Sequence, residues 1–306
     1  MNNKKLFLFG ILLLGCTLVN GQDTIMPLWP EGKIPNSIAS DEREKRIING
    51  IVRVSSVQEP VIEVYLPSRS NATGEAMLIF PGGGYGILAY DWEGTDIAKF
   101  LNGKGMAGIV VKYRLPSDTS QKNKHEVPLI DAQRAMRLVR KHAARFNLDA
   151  QRIGILGFSA GGHLAATLGT RFGDTVYAPL DDVDKESARP DFMALGYPVI
   201  TFGSQTHQGS KKNLIGKDPS QKMVALYSNE KNVTPQTPPT FLFHAGDDEA
   251  VPVENSLVFY AALQDKGVAA TLFVYPKGGH GFSLALKDPF LKEWSDQMVQ
   301  WIRNLK

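Results

Sequence analysis

The segment 157–161 reads GFSAG and places Ser159 between two glycines, directly after the apolar run 153–156 and before an apolar helical pattern. A serine on a tight strand-to-helix turn is held in a strained conformation that only very small neighbours allow. Such a turn exposes the hydroxyl above the sheet and directs the N-terminus of the next helix at a reacting carbonyl. The spacing therefore predicts that Ser159 is a nucleophile for acyl transfer. The alternative is a purely structural glycine-rich turn.

A serine nucleophile needs a base, and the chain has six histidines. His280 is favoured because it lies in the segment GGHGF (278–282), a glycine-rich loop directly after the last predicted strand. His163 comes four residues after Ser159 on the same helix, so we expect it to pack beside the turn and not to face the hydroxyl. Three others lie on a loop, a helix face and a presumed cap, and are expected to have no catalytic role: His125, His142 and His207.

The acid that orients the histidine is expected between serine and histidine in chain order. The segment 244–252, HAGDDEAVP, follows a predicted strand and offers Asp247 and Asp248. Asp248 is favoured by its D-x-x-V-P context, and Asp247 is the alternative. Either carboxylate would accept the imidazole N–H and fix its tautomer. A metal site formed by His244, Asp247 and Asp248 is a further interpretation of the same segment, although no metal is expected.

Three glycines follow the apolar run 76–80 in the segment PGGGY (81–85). Without side chains, their N–H groups can turn toward a ligand at close range. Gly83 and Gly84, together with the N–H of Ala160, are therefore predicted to hold the oxyanion that forms when a carbonyl is attacked. A glycine run can also cradle a phosphate, but no G-K-[ST] or G-x-G-x-x-G sequence follows.

Apolar runs alternate with helical patterns along the chain, which is typical of a mostly parallel sheet covered by helices on both faces. An apolar stripe over 132–146 predicts one helix, a second is expected after Gly162, and a third over 294–302. The predicted strands are 61–66, 76–80, 108–113, 153–157, 192–197, 240–244 and 270–275.

The stretch 201–239 interrupts this alternation. It is rich in Gly, Ser, Lys, Asn and Pro, and it is longer than a simple crossover between two strands requires. Long connections in compact domains are often lids or functional loops. We therefore expect a small cap over the active site, with short helices around 211–215 and 220–227. The alternative is a plain surface insertion.

The first 21 residues are typical of an export signal. Lys4 and Lys5 precede the apolar run 6–14, and small side chains lead to Gly21, where we expect cleavage. The mature domain would then be 22–306, secreted or periplasmic. Residues 13–16, LLGC, loosely resemble a lipoprotein cleavage box, so lipidation of Cys16 with membrane attachment is the alternative.

Charge and cysteine content exclude several classes of protein. The formal net charge is +3, and two of the positive charges, Lys4 and Lys5, lie in the predicted signal. No block of five like charges occurs, so neither nucleic acid nor an anionic membrane surface is expected as a partner. Cys16 is the only cysteine. Cleavage after Gly21 therefore leaves no disulfide, thiol nucleophile or cysteine-based zinc site.

These motifs resemble those of bacterial carbohydrate esterases of the α/β-hydrolase superfamily, the acetylxylan-esterase-like and feruloyl-esterase-like group akin to hormone-sensitive lipase. The resemblance extends from about residue 26 to the C-terminus and includes the further segments DWEG (91–94), YRLP (113–116) and DAQRA (131–135). Pro81 departs from the pattern, because many relatives have a histidine before the glycines. The resemblance implies an α/β-hydrolase fold and no cofactor.

The resemblance also implies removal of short acyl groups, above all acetyl, from plant-type polysaccharides or oligosaccharides, with Ser159 as nucleophile, His280 as proton carrier and an acyl-enzyme intermediate. An acylated carbohydrate is then the expected partner, and the oligomeric state stays open. Three alternatives remain. They are a lipase or feruloyl-type esterase, a serine peptidase of the prolyl-oligopeptidase kind, which usually needs an additional propeller domain, and an inactive hydrolase used as a binding module.

Overall fold

The computed structural model describes residues 23–305. The predicted export signal (1–21), its cleavage site at Gly21 and the alternative lipidation site Cys16 lie outside the described residues. The strands of the described chain are β1 (Thr24–Pro27), β2 (Lys45–Asn49), β3 (Ile51–Ser55), β4 (Val61–Tyr65), β5 (Ala76–Phe80), β6 (Leu88–Ala89), β7 (Ala107–Lys112), β8 (Ile153–Phe158), β9 (Met193–Gly196), β10 (Thr240–Ala245) and β11 (Ala270–Tyr275).

Eight of these strands form one sheet in the spatial order β1-β4-β7-β5-β8-β9-β10-β11. The six strands from β7 to β11 in this order pair in parallel, and β1 and β4 pair antiparallel at one edge. Every residue of β5 and of β8 is buried, as expected for parallel strands covered on both faces. The prediction of a mostly parallel sheet is confirmed.

Helices flank this sheet and connect its parallel strands. The stripe that predicted the helix over 132–146 is buried in α2, where Ala132, Ala135, Met136 and Val139 are inaccessible to solvent. The helices in chain order are α1 (Asp96–Gly103), α2 (Val127–Lys141), α3 (Ser159–Arg171), α4 (Gln208–Ile215), α5 (Gln221–Leu226), α6 (Glu254–Asp265) and α7 (Glu293–Asn304).

The start of α3 differs from the expectation that a helix follows Gly162. The helix begins at Ser159, directly at the end of β8. Phe158 is still extended, with φ −118°, and the chain enters the helix within one residue. Small residues at the following positions let the first turn of α3 pack closely against the strands, so the helix needs no connecting loop.

A second sheet, in the order β2-β3-β6, was not predicted. All residues of β2 are exposed, so no alternation of apolar and polar residues marks this strand in the sequence. β6 has only two residues, which is too short for a periodic pattern. Strand β1 and helices α1 and α6 were missed as well. The hairpin β2–β3 matters for function because it contributes to the wall of the site described below.

The connection between β9 and β10 contains the segment 201–239, with α4 and α5 close to the two short helices expected there. Each helix is capped by a side chain that accepts a backbone N–H: His207 accepts from Ser210, and Ser220 accepts from Met223. Among residues 23–305, no helix combines the length and apolar character required to cross a membrane.

Candidate active site

Ser159 occupies the turn between β8 and α3. Its backbone φ is 52°, a left-handed conformation that is unfavourable for a residue with a side chain. A Cβ on Gly157 would overlap the carbonyl oxygen of Gly161, and a Cβ on Gly161 would overlap that of Phe80. Both glycines are therefore required for this turn, which gives the G-x-S-x-G spacing its physical reason.

Ser159, His280 and Asp248 form a continuous chain of hydrogen bonds. Oγ of Ser159 lies 2.9 Å from Nε2 of His280, and Nδ1 of His280 lies 2.7 Å from Oδ2 of Asp248. An ionised carboxylate only accepts hydrogen bonds, so Nδ1 carries the proton and Nε2 accepts from the serine hydroxyl. This is the arrangement of a nucleophile, a general base and an orienting acid.

The topology of the sheet explains how residues so far apart in the chain meet. Ser159 directly follows β8, Asp248 follows β10, and His280 follows β11. These strands are parallel members of one sheet, so their carboxyl ends lie at the same edge, where ligands bind in open α/β sheets.

The two adjacent aspartates have different partners. Oδ1 of Asp248 accepts the N–H groups of Ala250 and Val251 at 3.0 and 2.9 Å, in addition to the bond of Oδ2 with His280. Burial by itself raises the pKa of Asp248, but the bonds from His244, His280 and Val251 outweigh it and hold that pKa well below its usual range. Asp247 instead accepts the N–H of Gly279 at 2.8 Å. The geometry thus brings Asp248 to His280.

The predicted oxyanion loop lies beside Ser159. Gly83 and Gly84 have φ values of 128° and 64°, which glycine adopts readily. Among the hydrogen bonds of residues 23–305, neither of their N–H groups has an acceptor. Ala160 is the second residue of α3, and the N–H groups of a first helical turn have no partner within the helix. Donors are thus available where an oxyanion would form.

Glu93 bonds to this glycine loop through its carboxylate, and it was not predicted as a site residue from the sequence. It is 4% exposed, and its Oε2 accepts the N–H of Gly82 at 2.8 Å, while its Oε1 accepts the hydroxyl of Tyr197 at 2.7 Å. That hydroxyl in turn accepts the N–H of Ser283 at 3.0 Å. Burial raises the pKa of Glu93, against the bonds from Tyr197 and Gly82. Glu93 therefore connects the glycine loop with the loop that bears His280.

His163 packs beside the turn, as expected. Its Nε2 donates to the carbonyl of Tyr227, and its Nδ1 accepts the hydroxyl of Tyr85, both at 2.8 Å. Burial lowers the pKa of His163 to about 4, so the ring stays neutral. His125 bonds to the hydroxyl of Tyr227, and neither ring contacts Ser159.

His207 was expected to have no role, but its ring lines the pocket that contains Ser159 and His280. This pocket has a volume of about 430 Å³. Two further wall residues, Ile51 and Arg53, come from the unpredicted hairpin β2–β3. Trp92 and Glu93 also line the pocket, and both belong to the segment DWEG (91–94) noted in the sequence. No local sequence pattern indicated His207, Ile51 or Arg53.

Trp92 lines both this pocket and a larger apolar groove. Its indole N–H donates to the carbonyl of Gly281 at 2.8 Å, next to His280. The groove beyond has a volume of about 780 Å³, and Phe282, Leu284 and Leu286 contribute to its lining. The small pocket contains Ser159 and His280, and the large groove supplies mostly apolar surface with Lys and Asp side chains in its lining.

The interpretation of 244–248 as a metal site has no support in the arrangement of these side chains. His244 and Asp248 contact each other, but Asp247 turns to the N–H of Gly279. Across residues 23–305, no group of three or more His, Cys, Asp or Glu side chains has the arrangement of a metal site.

A mostly parallel sheet with a strained serine at the end of a central strand defines an α/β hydrolase. The chain belongs to the BD-FAE family, whose model matches residues 62–263. The structure is similar to the crystal structure of an acetyl ester-xyloside bifunctional hydrolase from Caldicellulosiruptor lactoaceticus, with a TM-score of 0.79 and 36% identity over 94% of this chain and 98% of that one.

Two relatives support the same family. The chain is 30% identical to an acetylxylan esterase of Xylanibacter ruminicola over 99% of this chain and 55% of that protein. It is 38% identical to endo-1,4-β-xylanase B of Butyrivibrio fibrisolvens over 72% of this chain and 34% of that protein. The chain thus spans about half of the first relative and about a third of the second. The resemblance to α/β-hydrolase carbohydrate esterases is confirmed.

Proposed function

We propose that this chain is a serine esterase that removes short acyl groups, above all acetyl, from plant-type polysaccharides or their oligosaccharides. The observation that carries this proposal is the chain of bonds from Ser159 through His280 to Asp248 in an open pocket. The similarity to an acetylxylan esterase and to an acetyl ester-xyloside hydrolase supports an acylated carbohydrate as the substrate.

In the first half of the reaction, Oγ of Ser159 attacks the ester carbonyl while Nε2 of His280 takes the hydroxyl proton. Asp248 stabilises the imidazolium that forms. The N–H groups of Gly83, Gly84 and Ala160 hold the negative charge that develops on the carbonyl oxygen. Collapse of the tetrahedral intermediate breaks the bond to the sugar oxygen, which receives the proton from His280.

In the second half, water enters the pocket and attacks the acyl group bound to Ser159. His280 takes a proton from this water and returns it to Oγ of the serine, which releases the carboxylic acid. Ser159, His280, Gly83 and Gly84 all line one pocket. The chemistry requires no cofactor.

Replacement of the nucleophile tests the proposal. Ser159→Ala should lower kcat for an acetyl ester on the order of a million-fold, because loss of a triad nucleophile disables the whole unit. A fluorophosphonate should label Ser159 and abolish activity. Ser70→Ala, which changes an exposed turn serine, is the matched control and should behave as the wild type. Esterase activity that survives in folded Ser159→Ala would contradict the mechanism.

A second candidate is an esterase for bulkier, feruloyl-type acyl groups. The apolar groove that begins at Trp92 favours it, since a groove of about 780 Å³ could accept an aromatic ring. The rates of release of acetate, butyrate and ferulate from matched esters distinguish the two. A steep fall of kcat/KM from acetate to butyrate supports the acetyl esterase, and a preference for ferulate or long chains assigns the chain to the other class.

We also propose that the segment 201–239 forms a cap over this pocket. His207 from this segment lines the pocket, and Nδ2 of Asn213 donates to the carbonyl of Gly84 at 2.8 Å. Asn213→Ala should therefore loosen the glycine loop and raise KM for an acetylated oligosaccharide several-fold. Unchanged kinetics would mean that the segment is an insertion without influence on the site.

Finally, we propose that the chain is exported and cleaved at Gly21, so that the mature domain begins at Gln22. The order of Lys4 and Lys5, the apolar run 6–14 and the small residues after it supports this proposal. N-terminal sequencing of the native protein checks it. A chain that retains Met1 contradicts export, and a lipid on Cys16 assigns it to the lipoproteins.

A further inference from the structure

A second histidine contacts the acid of the site. His244 lies in β10 and is completely buried. Its Nε2 is 2.9 Å from the carbonyl oxygen of Val251 and 3.2 Å from Oδ2 of Asp248, and its Nδ1 is 2.8 Å from Oγ of Ser256. A carbonyl oxygen only accepts hydrogen bonds, so Nε2 carries a proton and Nδ1 accepts from the serine hydroxyl. Val251 and Ser256 thus set the tautomer of His244.

The N–H of His244 bonds to the carbonyl of Val251, and the same ring nitrogen lies against the oxygen of Asp248 that binds His280. Oδ2 of Asp248 accepts from His280 at 2.7 Å and lies 3.2 Å from Nε2 of His244. Oδ1 accepts from two backbone N–H groups. A carboxylate offers about four acceptor positions; three of them receive these hydrogen bonds, and the His244 ring lies against Oδ2. The carboxylate therefore has a single orientation, in which Oδ2 points at the base.

We propose that His244 is a positioning residue, which holds Asp248 in the orientation that keeps the His280 ring aligned with Ser159. This inference rests on the proposed esterase function. His244 contacts neither Ser159 nor the pocket, and it acts only through Asp248. The burial of its ring supports this role, because a buried polar ring is unfavourable unless its hydrogen bonds are satisfied. Both ring nitrogens have partners, and the partner of Nε2, Val251, itself donates its N–H to Asp248.

Loss of the donor from His244 changes the charge that His280 experiences. With one donor fewer, Asp248 is a stronger acceptor for the Nδ1–H of His280 and stabilises the imidazolium more. The acid limb of the pH profile of kcat/KM should therefore move to higher pH, because His280 must be neutral to act as the base. The other ionisable groups near His280 or Asp248 include Glu93, Tyr197 and His207, and Arg53 lines the same pocket as His280. All four stay unchanged in the variants below.

A pair of polar variants tests the proposal. In His244→Gln, the amide nitrogen can take the place of Nε2 and donate to Asp248, whereas the side chain in His244→Asn is too short to reach it. His244→Asn should lower kcat on the order of ten- to hundredfold, the range seen for outer hydrogen-bond partners of functional groups, and should shift the acid limb upward. His244→Gln should restore kcat and the limb toward wild-type values.

A structural role would give a different result. Ser256→Ala removes the partner of Nδ1 of His244 and leaves Nε2 of His244 beside Asp248. It should therefore lower the melting temperature without moving the pH profile of kcat/KM. Equal kcat and equal pH profiles for folded His244→Asn and His244→Gln would overturn the proposal. The low-field proton NMR signal of the His280 Nδ1–H should shift in His244→Asn and return in His244→Gln. This readout needs no substrate, so it tests the positioning role even if the wild type proves inactive on esters.

Discussion

Two buried carboxylates near His280, Asp248 and Glu93, are held in opposite ways. Asp248 is 6% exposed and Glu93 is 4% exposed. Asp248 accepts from His280 and two backbone N–H groups and lies 3.2 Å from the ring nitrogen of His244, and its pKa falls despite burial. Glu93 accepts from one N–H and one hydroxyl, and burial raises its pKa. Burial alone therefore does not determine the charge of an acid, because the number and kind of donors decide it.

This difference separates two tasks within the site. In the proposed mechanism, Asp248 is ionised and bonds directly to His280, the base, so it would act on the proton transfer. Glu93 has no hydrogen bond to Ser159 or His280, and its bonds connect the glycine loop with the loop of His280. Removal of Asp248 should thus change the chemistry, and removal of Glu93 should change the alignment.

The largest effect is expected at Asp248. Asp248→Asn should lower kcat for an acetyl ester about 10⁴-fold, because the amide favours the wrong tautomer of His280, by analogy with serine proteases. Asp247→Asn is the matched control and should remain within about tenfold of the wild type, since Asp247 bonds only to the N–H of Gly279. If the two variants show the reverse order in steady-state kinetics, Asp247 is the orienting acid.

A smaller effect is expected at Glu93. Glu93→Ala should lower kcat/KM up to about 10²-fold, because displacement of an oxyanion loop by a fraction of an ångström weakens the bonds to the transition state. Glu93→Gln should lose less, since its oxygen can still accept the N–H of Gly82 and its amide can donate to Tyr197. Both variants are compared on a small acetyl ester at several pH values. A loss in Glu93→Gln as large as in Asp248→Asn would contradict the separation of tasks.

The smallest effect concerns the pH dependence of stability. The pKa of Asp248 is lowered in the folded chain, so its contribution is present at neutral pH and is lost as the pH falls below its usual range. The pKa of Glu93 is raised from 4.5, so ionisation of Glu93 opposes folding as the pH rises above that value. Glu93→Gln removes only the second contribution.

Urea denaturation of wild type and Glu93→Gln at about pH 4 and about pH 7 measures this difference. The free energy of unfolding of the variant should increase relative to the wild type at the higher pH. Asp248→Asn, compared with the wild type at about pH 2 and about pH 5, should instead lose stability relative to the wild type at the higher pH, because the wild type there gains from its ionised carboxylate. The same sign for both variants would show that the two acids are not held in opposite ways.

The sequence by itself determined the parts of the molecule that local rules govern. The strained turn at Ser159 needs glycines two residues away on each side, and a buried parallel strand needs a continuous apolar run, so both leave a signature within a few residues. The order of serine, acid and histidine in this fold then pointed to Asp248 and His280. For these features, the physical requirement and the sequence pattern coincide.

Only the tertiary structure decided which residues, distant in the sequence, surround Ser159, Asp248 and His280. Ile51 and Arg53 of β3 reach the pocket, and the partner strand β2 of this hairpin has no apolar pattern. Trp92 bonds to Gly281 across 189 positions of the chain, and His244 contacts Asp248 from inside the sheet. Such contacts depend on how strands and loops meet in space, and no spacing along the chain encodes them. A buried polar side chain gains its role from the partners that the fold brings to it.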